Sequence, residues 1–147
     1  MSLQRRSGAS ELRVEGEVGH ALGLAVADLE ETAGEAVDIS AQAPGFAGRA
    51  VPVAPLLAAA GPLPGADHCT VSSGDGHYTA SIPLADLNRS GWLVFALGDG
   101  PLPRDRGGPL RLLVPQGTTL CWNVKDVVAI RLTRGPEPDS VPANPPH

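Results

Sequence analysis

Glycine and proline cut this chain into short pieces, and that punctuation limits its fold more than any other feature. The chain holds 18 glycines and 15 prolines in 147 residues. Inside a helix, Gly costs about 1 kcal/mol and Pro about 3 kcal/mol relative to Ala, so regular elements end where these residues fall. The density stays below the range of low-complexity disorder. With 42% apolar residues, the chain supplies a core, and its length suits one domain.

Between the breaks the periodicity is mostly that of strands. Leu12 to Val18 alternates apolar and polar, Leu22 to Val26 does so weakly, and Ala36 to Ala41 reads as a further strand. Ala27 to Glu31 reads as a short helix with acids in its first turn, where the dipole favours them. Gln42 to Gly48 is a Gly/Pro loop. Pro52 is placed in the first turn of a helix running through Val53 to Ala60, stopped by Gly61. His68 to Ser72 and His77 to Ile82 flank Gly74-Asp75-Gly76, a hairpin signal. Pro83 starts a second short helix, Trp92 to Leu97 reads as a buried strand, and Gly98 to Gly100 as its turn. After the Pro/Gly/Arg loop at 101–109, Leu110 to Pro115 and Val124 to Leu132 read as the last strands. The fold class expected is therefore α+β and β-rich, with a few short helices. Residues 1–10 are expected to be disordered, 11–134 to form one domain, and 135–147 a Pro-rich tail.

Several functions are excluded. The formal net charge is −5, and no Lys/Arg cluster is present to displace counterions from nucleic acid. No apolar run is long enough to span a bilayer. Arg5-Arg6 lacks a following apolar stretch, so no export signal is read and the cytoplasm is the default compartment. Cys69 and Cys121 make no disulfide framework and no metal-type pairing, and read as small buried hydrophobes. His68 and His77 lie on opposite arms of one hairpin, but a metal site there lacks a third ligand. Hydrolase and phosphate-loop motifs are missing.

The segment from Pro101 to Val114 is where chemistry concentrates. Arg104, Arg106 and Arg111 crowd one stretch of an acidic chain, and Arg offers a planar fork of donors for phosphate or carboxylate. Gly107-Gly108 gives backbone that a ligand can approach closely. Lys125, the single lysine of a chain with ten arginines, follows in Trp122 to Lys125. These residues read as an anion-binding edge for a small anionic ligand. The plainer alternative is a solvated loop whose arginines pair with Asp99 or Asp105.

Four segments in order resemble one family. GPLPRDRGGPLRLLVP, from Gly100 to Pro115, is similar to the G-x-P-L-x-x-x-H-G-x-P-x-R-x-x-x-P signature of the oxidoreductase molybdopterin-binding domain, the sulfite oxidase-like family. WNVKDVVAI, from Trp122 to Ile130, looks like its x-x-V-K-W-[VL]-x-x-I. AVPVAPLL, from Ala50 to Leu57, is similar to its G-V-P-L-x-x-L-L, and GDGHYTASIPL, from Gly74 to Leu84, to its D-G-Y-x-x-S-I-P-L hairpin. The resemblance implies the family's mixed β-rich fold. It also implies a molybdopterin cofactor whose dithiolene holds molybdenum, with one cysteine thiolate completing the sulfur ligands. Arg111 and Lys125 stand where the family carries its Arg and its V-K lysine, in the pterin-contacting region. Asp75 corresponds to a pocket aspartate, and Arg106 replaces the signature histidine as a cofactor contact.

The departures from the pattern bear on activity. The family's metal-ligating cysteine precedes the G-V-P-L segment, where this chain has Val37-Asp38-Ile39-Ser40-Ala41 and no cysteine. The family's upstream Asn-His segment has no counterpart before Leu12. No catalytic residue and no metal ligand are assigned, although Cys121 adjoins the Trp122 to Lys125 segment. The resulting expectation is a small bacterial homologue that binds a molybdopterin-type cofactor without being catalytic alone. Two alternatives stay open: a degenerate binding module that reuses the pocket for another anion or partner, and a structural domain completed by another chain.

Overall fold

The computed structural model describes residues 11–74, 78–115 and 122–137. Two β-sheets carry the architecture. In the first, the strands run in the order β2 (Leu22–Ala25), β1 (Glu11–Gly16), β10 (Val127–Thr133), β5 (His68–Ser73), β6 (Thr79–Pro83). In the second, β3 (Val37–Asp38), β4 (Arg49–Pro52), β7 (Trp92–Leu97) and β8 (Gly100–Pro101) lie side by side, and β9 (Arg111–Leu113) also pairs with β7. The pairings are antiparallel except β1 with β10, which joins the first and last strands in parallel at the middle of the first sheet.

Strand periodicity builds the core. Leu12, Val14, Val71, Ile82, Leu93, Leu112 and Ile130 alternate with polar or outward residues and are fully buried in one cluster. Three short helices, α1 (Leu29–Ala33), α2 (Ala54–Ala60) and α3 (Leu84–Ser90), add Leu29, Leu56, Leu57, Ala60 and Leu87 to it. The acids foreseen near α1 have specific tasks. Asp28 accepts the Ala25 amide at 2.9 Å, and Glu30 accepts the Ala36 amide at 2.8 Å. A second, smaller cluster of Ile39, Ala43, Ala50, Val94, Leu102 and Leu113 lies on the opposite face of the second sheet. Among the described residues, no helix is long and apolar enough to cross a membrane.

Three elements differ from the sequence expectation. Ala36 to Ala41 forms only the two-residue β3, because Asp38 accepts the Ser40 amide and turns Ile39–Ala41 into a 3₁₀ turn. Pro52 closes β4, and the proline in the first turn of α2 is Pro55. The helix itself ends at Gly61, left-handed with φ 69° as its missing Cβ permits. The last strand starts at Val127, after Asp126, which adopts φ 51° and breaks the extended run. The hairpin of β5 and β6 is present, while its Asp75, Gly76 and His77 lie outside the described residues. Residues 1–10 and 138–147 lie outside them as well.

The segment following β10 straps the outer face of the first sheet. Arg131, Thr70 and Ser81 lie in one row across β10, β5 and β6. Glu137 closes that row: its carboxylate accepts from Thr70 and Arg131, and its amide donates to Ser81 Oγ. The Thr70 hydroxyl first, and Arg131 second, hold the Glu137 carboxyl below its ordinary pKa.

Candidate functional site

The register of β9 decides where Arg111 points. Leu112 pairs with Leu93, and both enter the main core, so their neighbours Arg111 and Val94 lie on the opposite face of the sheet, where Val94 joins the second cluster. Ala50, Val94 and Arg111 thus form one row across β4, β7 and β9. A slip of one residue would drive the guanidinium into the core, which makes Leu110, Leu112 and Val114 the residues that fix its orientation.

The loop before β9 surrounds that arginine. Gly107 has φ 92°, and a Cβ placed on it would come within 2.8 Å of Arg111 Cδ and 3.1 Å of Lys125 Cγ. The methylene stems of Arg111 and Lys125 therefore meet over one glycine. A Cβ on Gly108 would overlap the Leu102 carbonyl oxygen. The two glycines thus make room for the protein's own side chains and backbone, where the sequence suggested room for a ligand. Arg106 precedes this pair, and its carbonyl accepts from Arg111 Nη1 at 3.2 Å. The Gly108–Pro109 peptide is cis.

Phe46, in the loop before β4, supplies a wall that the sequence reading did not single out. Its ring centroid lies 5.0 Å from the Arg111 guanidinium carbon, a cation–π contact worth about 0.5–1 kcal/mol when partly exposed. Between them opens a cavity of about 210 Å³, walled by the 45–47 loop, Val94, Leu102 and Leu113, with Arg106 and Arg111 as its charged residues. Phe46 was hard to foresee because a lone aromatic in a Gly/Pro loop has no periodicity. Its flanking Gly45 and its place beside the small second cluster are the signals that mark it.

Charge pairing separates this site from the rest of the surface. Arg13, Arg49, Arg89, Arg104, Arg131 and Arg134 each lie beside a carboxylate: Glu15, Glu30, Asp86, Asp126, Glu137 and Glu17 respectively. Among the described residues, Arg106, Arg111 and Lys125 have no such partner. Arg111 Nε is buried with no hydrogen-bond acceptor among them, and burial pulls its pKa below the ordinary arginine value. The plain alternative of arginines paired to Asp99 or Asp105 is not what forms: Arg104 alone is paired, 3.8 Å from Asp126. Asp126 also ties the site together, its amide donating to Gly107 and its carbonyl accepting from Gly74, each at 2.8 Å. Three of the four site residues expected from sequence thus meet around Gly107. The fourth, Asp75, lies outside the described residues.

The fold and the sequence match place the protein in a class. The chain belongs to the oxidoreductase molybdopterin binding domain family, whose profile matches residues 4–141. Among solved structures it is similar to the sulfane dehydrogenase SoxCD from Paracoccus pantotrophus, with 20% identity and a TM-score of 0.65. The likeness covers 86% of this chain and 39% of that one, so this chain spans well under half the length of that relative. No curated protein matches the sequence.

The described residues fit one half of the family's cofactor and not the other. The unpaired cations and the orphaned Arg111 Nε suit an anionic group. For the sulfur-ligated metal no matching ligand is found among the described residues. Val37–Ala41 holds no cysteine, and Cys69 is fully buried in the core, where desolvation pushes its thiol up to about 12. A thiol so raised is not a thiolate at neutral pH. Cys121 and His77 lie outside the described residues, and His68 Nδ1 sits 3.1 Å from Asp67 Oδ1. No three His, Cys, Asp or Glu residues gather for a metal among the described residues.

Proposed function

We propose that this domain is a binding module for the anionic end of a molybdopterin-type cofactor, without redox turnover of its own. Three unpaired cations around one glycine carry the reading. In a chain of net charge −5, whose other described arginines are matched to carboxylates, an unmatched cluster is a place prepared for an anion from outside. Arg111 presents its fork from the strand, Arg106 stands on the cavity rim, and the Lys125 stem packs beside that of Arg111 over Gly107. Asp75, which the family resemblance matches to a pocket aspartate, is the proposed fourth contact. Charge-assisted hydrogen bonds of this kind are about twice as strong as neutral ones.

When bound, the group's dithiolene would supply the molybdenum on which the family's redox chemistry depends. The residues here hold and orient and do not ligate the metal, so no turnover is assigned to this chain. A second reading, that the module serves another anion, is favoured by the same missing cysteine.

The test is pterin fluorescence and molybdenum analysis of the protein purified from a host that makes the cofactor. The expected result is retained pterin, reduced about tenfold or more by Arg111→Ala, the scale of losing a charge-assisted contact. Protein that is folded and carries no pterin overturns the cofactor reading and leaves the other-anion reading.

A further inference from the structure

We propose that the row Arg131, Thr70 and Ser81, on the outer face of the first sheet, is a docking site for an extended acidic segment of a partner protein. Glu137 covers that site from within the chain until such a segment displaces it. The row lies on the other sheet from Arg111 and involves neither pterin nor metal.

The contacts of Glu137 are those by which a peptide residue is read. Two donors take its carboxylate, the Thr70 hydroxyl at 2.7 Å and the Arg131 guanidinium, and its backbone amide donates to Ser81 Oγ at 3.2 Å. The three groups come from adjacent strands, β10, β5 and β6, spaced about 4.8 Å apart. Reading main chain and side chain together selects an extended residue that carries a carboxylate. The ionised form is preferred, since the same donors hold the Glu137 carboxyl below its ordinary pKa. Glu15, opposite Arg131 on β1, is engaged by Arg13 at 3.4 Å, and Arg131 bonds Glu137 instead.

The cover is held by contacts that can be exchanged. Residues 134–137 follow β10 and cross toward β6, and among the described residues no backbone-to-backbone bond ties them to the sheet. Side chains anchor them instead. Arg134 meets Glu17 at 3.2 Å, the Gly135 amide donates to Asp67 Oδ1 at 2.6 Å, and the Thr133 hydroxyl donates to the Gly135 carbonyl at 2.8 Å. Arg134 and Pro136 are exposed and Glu137 is half-buried, so the segment hides little apolar surface. Such segments sit at the low end of local stability and open without global unfolding. Beneath the cover, Thr70 and Thr133 are 7% and 5% exposed. Lifting it therefore bares hydroxyls and a guanidinium and leaves the apolar core closed. The short tether gives Glu137 an effective concentration on the order of millimolar, so a partner must add contacts beyond one glutamate.

The experiment is an NMR titration of the whole chain with the capped peptide Gly-Pro-Glu-Pro, the sequence that follows Arg134, and with its Gly-Pro-Gln-Pro control. In Glu137→Ala, where the row is uncovered, the expected result is saturable shifts at the amides of Thr70, Ser81 and Arg131. The Gln peptide should bind at least about tenfold more weakly, the scale of losing a charge-assisted contact. The wild-type chain should also bind the Glu peptide at least about tenfold more weakly than the variant, because its own cover competes. Adding Arg131→Gln to Glu137→Ala should erase the preference for Glu over Gln. Circular dichroism checks folding, and if Glu137→Ala is not folded, Glu137→Gln keeps the shape without the charge and carries the same titration. Absence of shifts in the uncovered chain overturns the proposal. So do equal binding of the two peptides, equal binding by wild type and variant, or shifts confined to other parts of the molecule. The outcome is independent of retained pterin, so failure here leaves the cofactor reading untouched, and failure there leaves this one standing.

Discussion

The outer faces of the two sheets treat charge in opposite ways. On the first sheet the row Ser81, Thr70, Arg131 is closed by Glu137, whose carboxylate accepts from the guanidinium and the Thr70 hydroxyl while its amide donates to Ser81 Oγ. On the second sheet the row Ala50, Val94, Arg111 ends in a guanidinium that no carboxylate among the described residues answers. The same chemistry, an arginine on a strand facing out, is in one place satisfied from within the chain and in the other left with donors to spare. A buried donor without an acceptor costs about 1–3 kcal/mol. On the proposed reading Arg111 is held for binding, whereas Arg131 holds structure together.

The comparison breaks most severely at Gly108. Gly108→Ala sets a Cβ against the Leu102 carbonyl, a backbone atom with nowhere to go. It should cost about 3 kcal/mol or more in denaturant unfolding and disperse Arg106, Arg111 and Lys125 together. Next in size is the response to ligand: 100-fold excess of a bound oxyanion over its Kd should stabilise the fold by about 2.7 kcal/mol, read as a rise in Tm that Arg111→Gln abolishes. Replacing the unanswered cation itself should help the fold. Arg111→Met is expected to be neutral or stabilising by about 1 kcal/mol, since an apolar side chain leaves no donor stranded. Arg131→Met should instead destabilise by about 0.5 kcal/mol, the worth of a partly exposed pair. Equal effects of the two substitutions would erase the distinction drawn between the faces.

The smallest effect is that of pH on the strap. Glu137 has a depressed pKa in the fold, so its contribution is present above the ordinary glutamate range and is lost as pH falls through the lowered folded value. Hydrogen exchange at the Glu137 amide, which donates to Ser81 Oγ, should accelerate below that point. Glu137→Gln should remove the pH dependence.

What could be read from sequence was what local patterns encode. Alternation found β1 and β10, the Gly74-Asp75-Gly76 turn signal found β5 and β6, an apolar run found β7, and Gly61 marked the end of α2, because these signals lie within a few residues of one another. The family resemblance brought Arg106, Arg111 and Lys125 forward, and the structure gathers them around Gly107. The strand expected at Ala36 to Ala41 failed because one side-chain bond, Asp38 to the Ser40 amide, outweighs a weak alternation. Phe46 stayed hidden for a different reason. Its partner Arg111 comes from β9, on the far side of β7, and only tertiary pairing brings the two together. Which arginines would be matched was equally illegible, since Arg104 finds Asp126, beyond a whole strand, and passes over the adjacent Asp105.

The parallel pairing of β1 with β10 also sets the order in which this protein can come into being. The strand at the middle of the first sheet is the last to be made, so β2-β1 on one side and β5-β6 on the other have no common partner until Val127–Thr133 leaves the ribosome. Closing so long a loop is slow and yields its contacts only at the end. Synthesis arrested before Val127 should therefore leave a chain cleaved readily by protease along its whole length, and release of a few residues more should protect it in a single step.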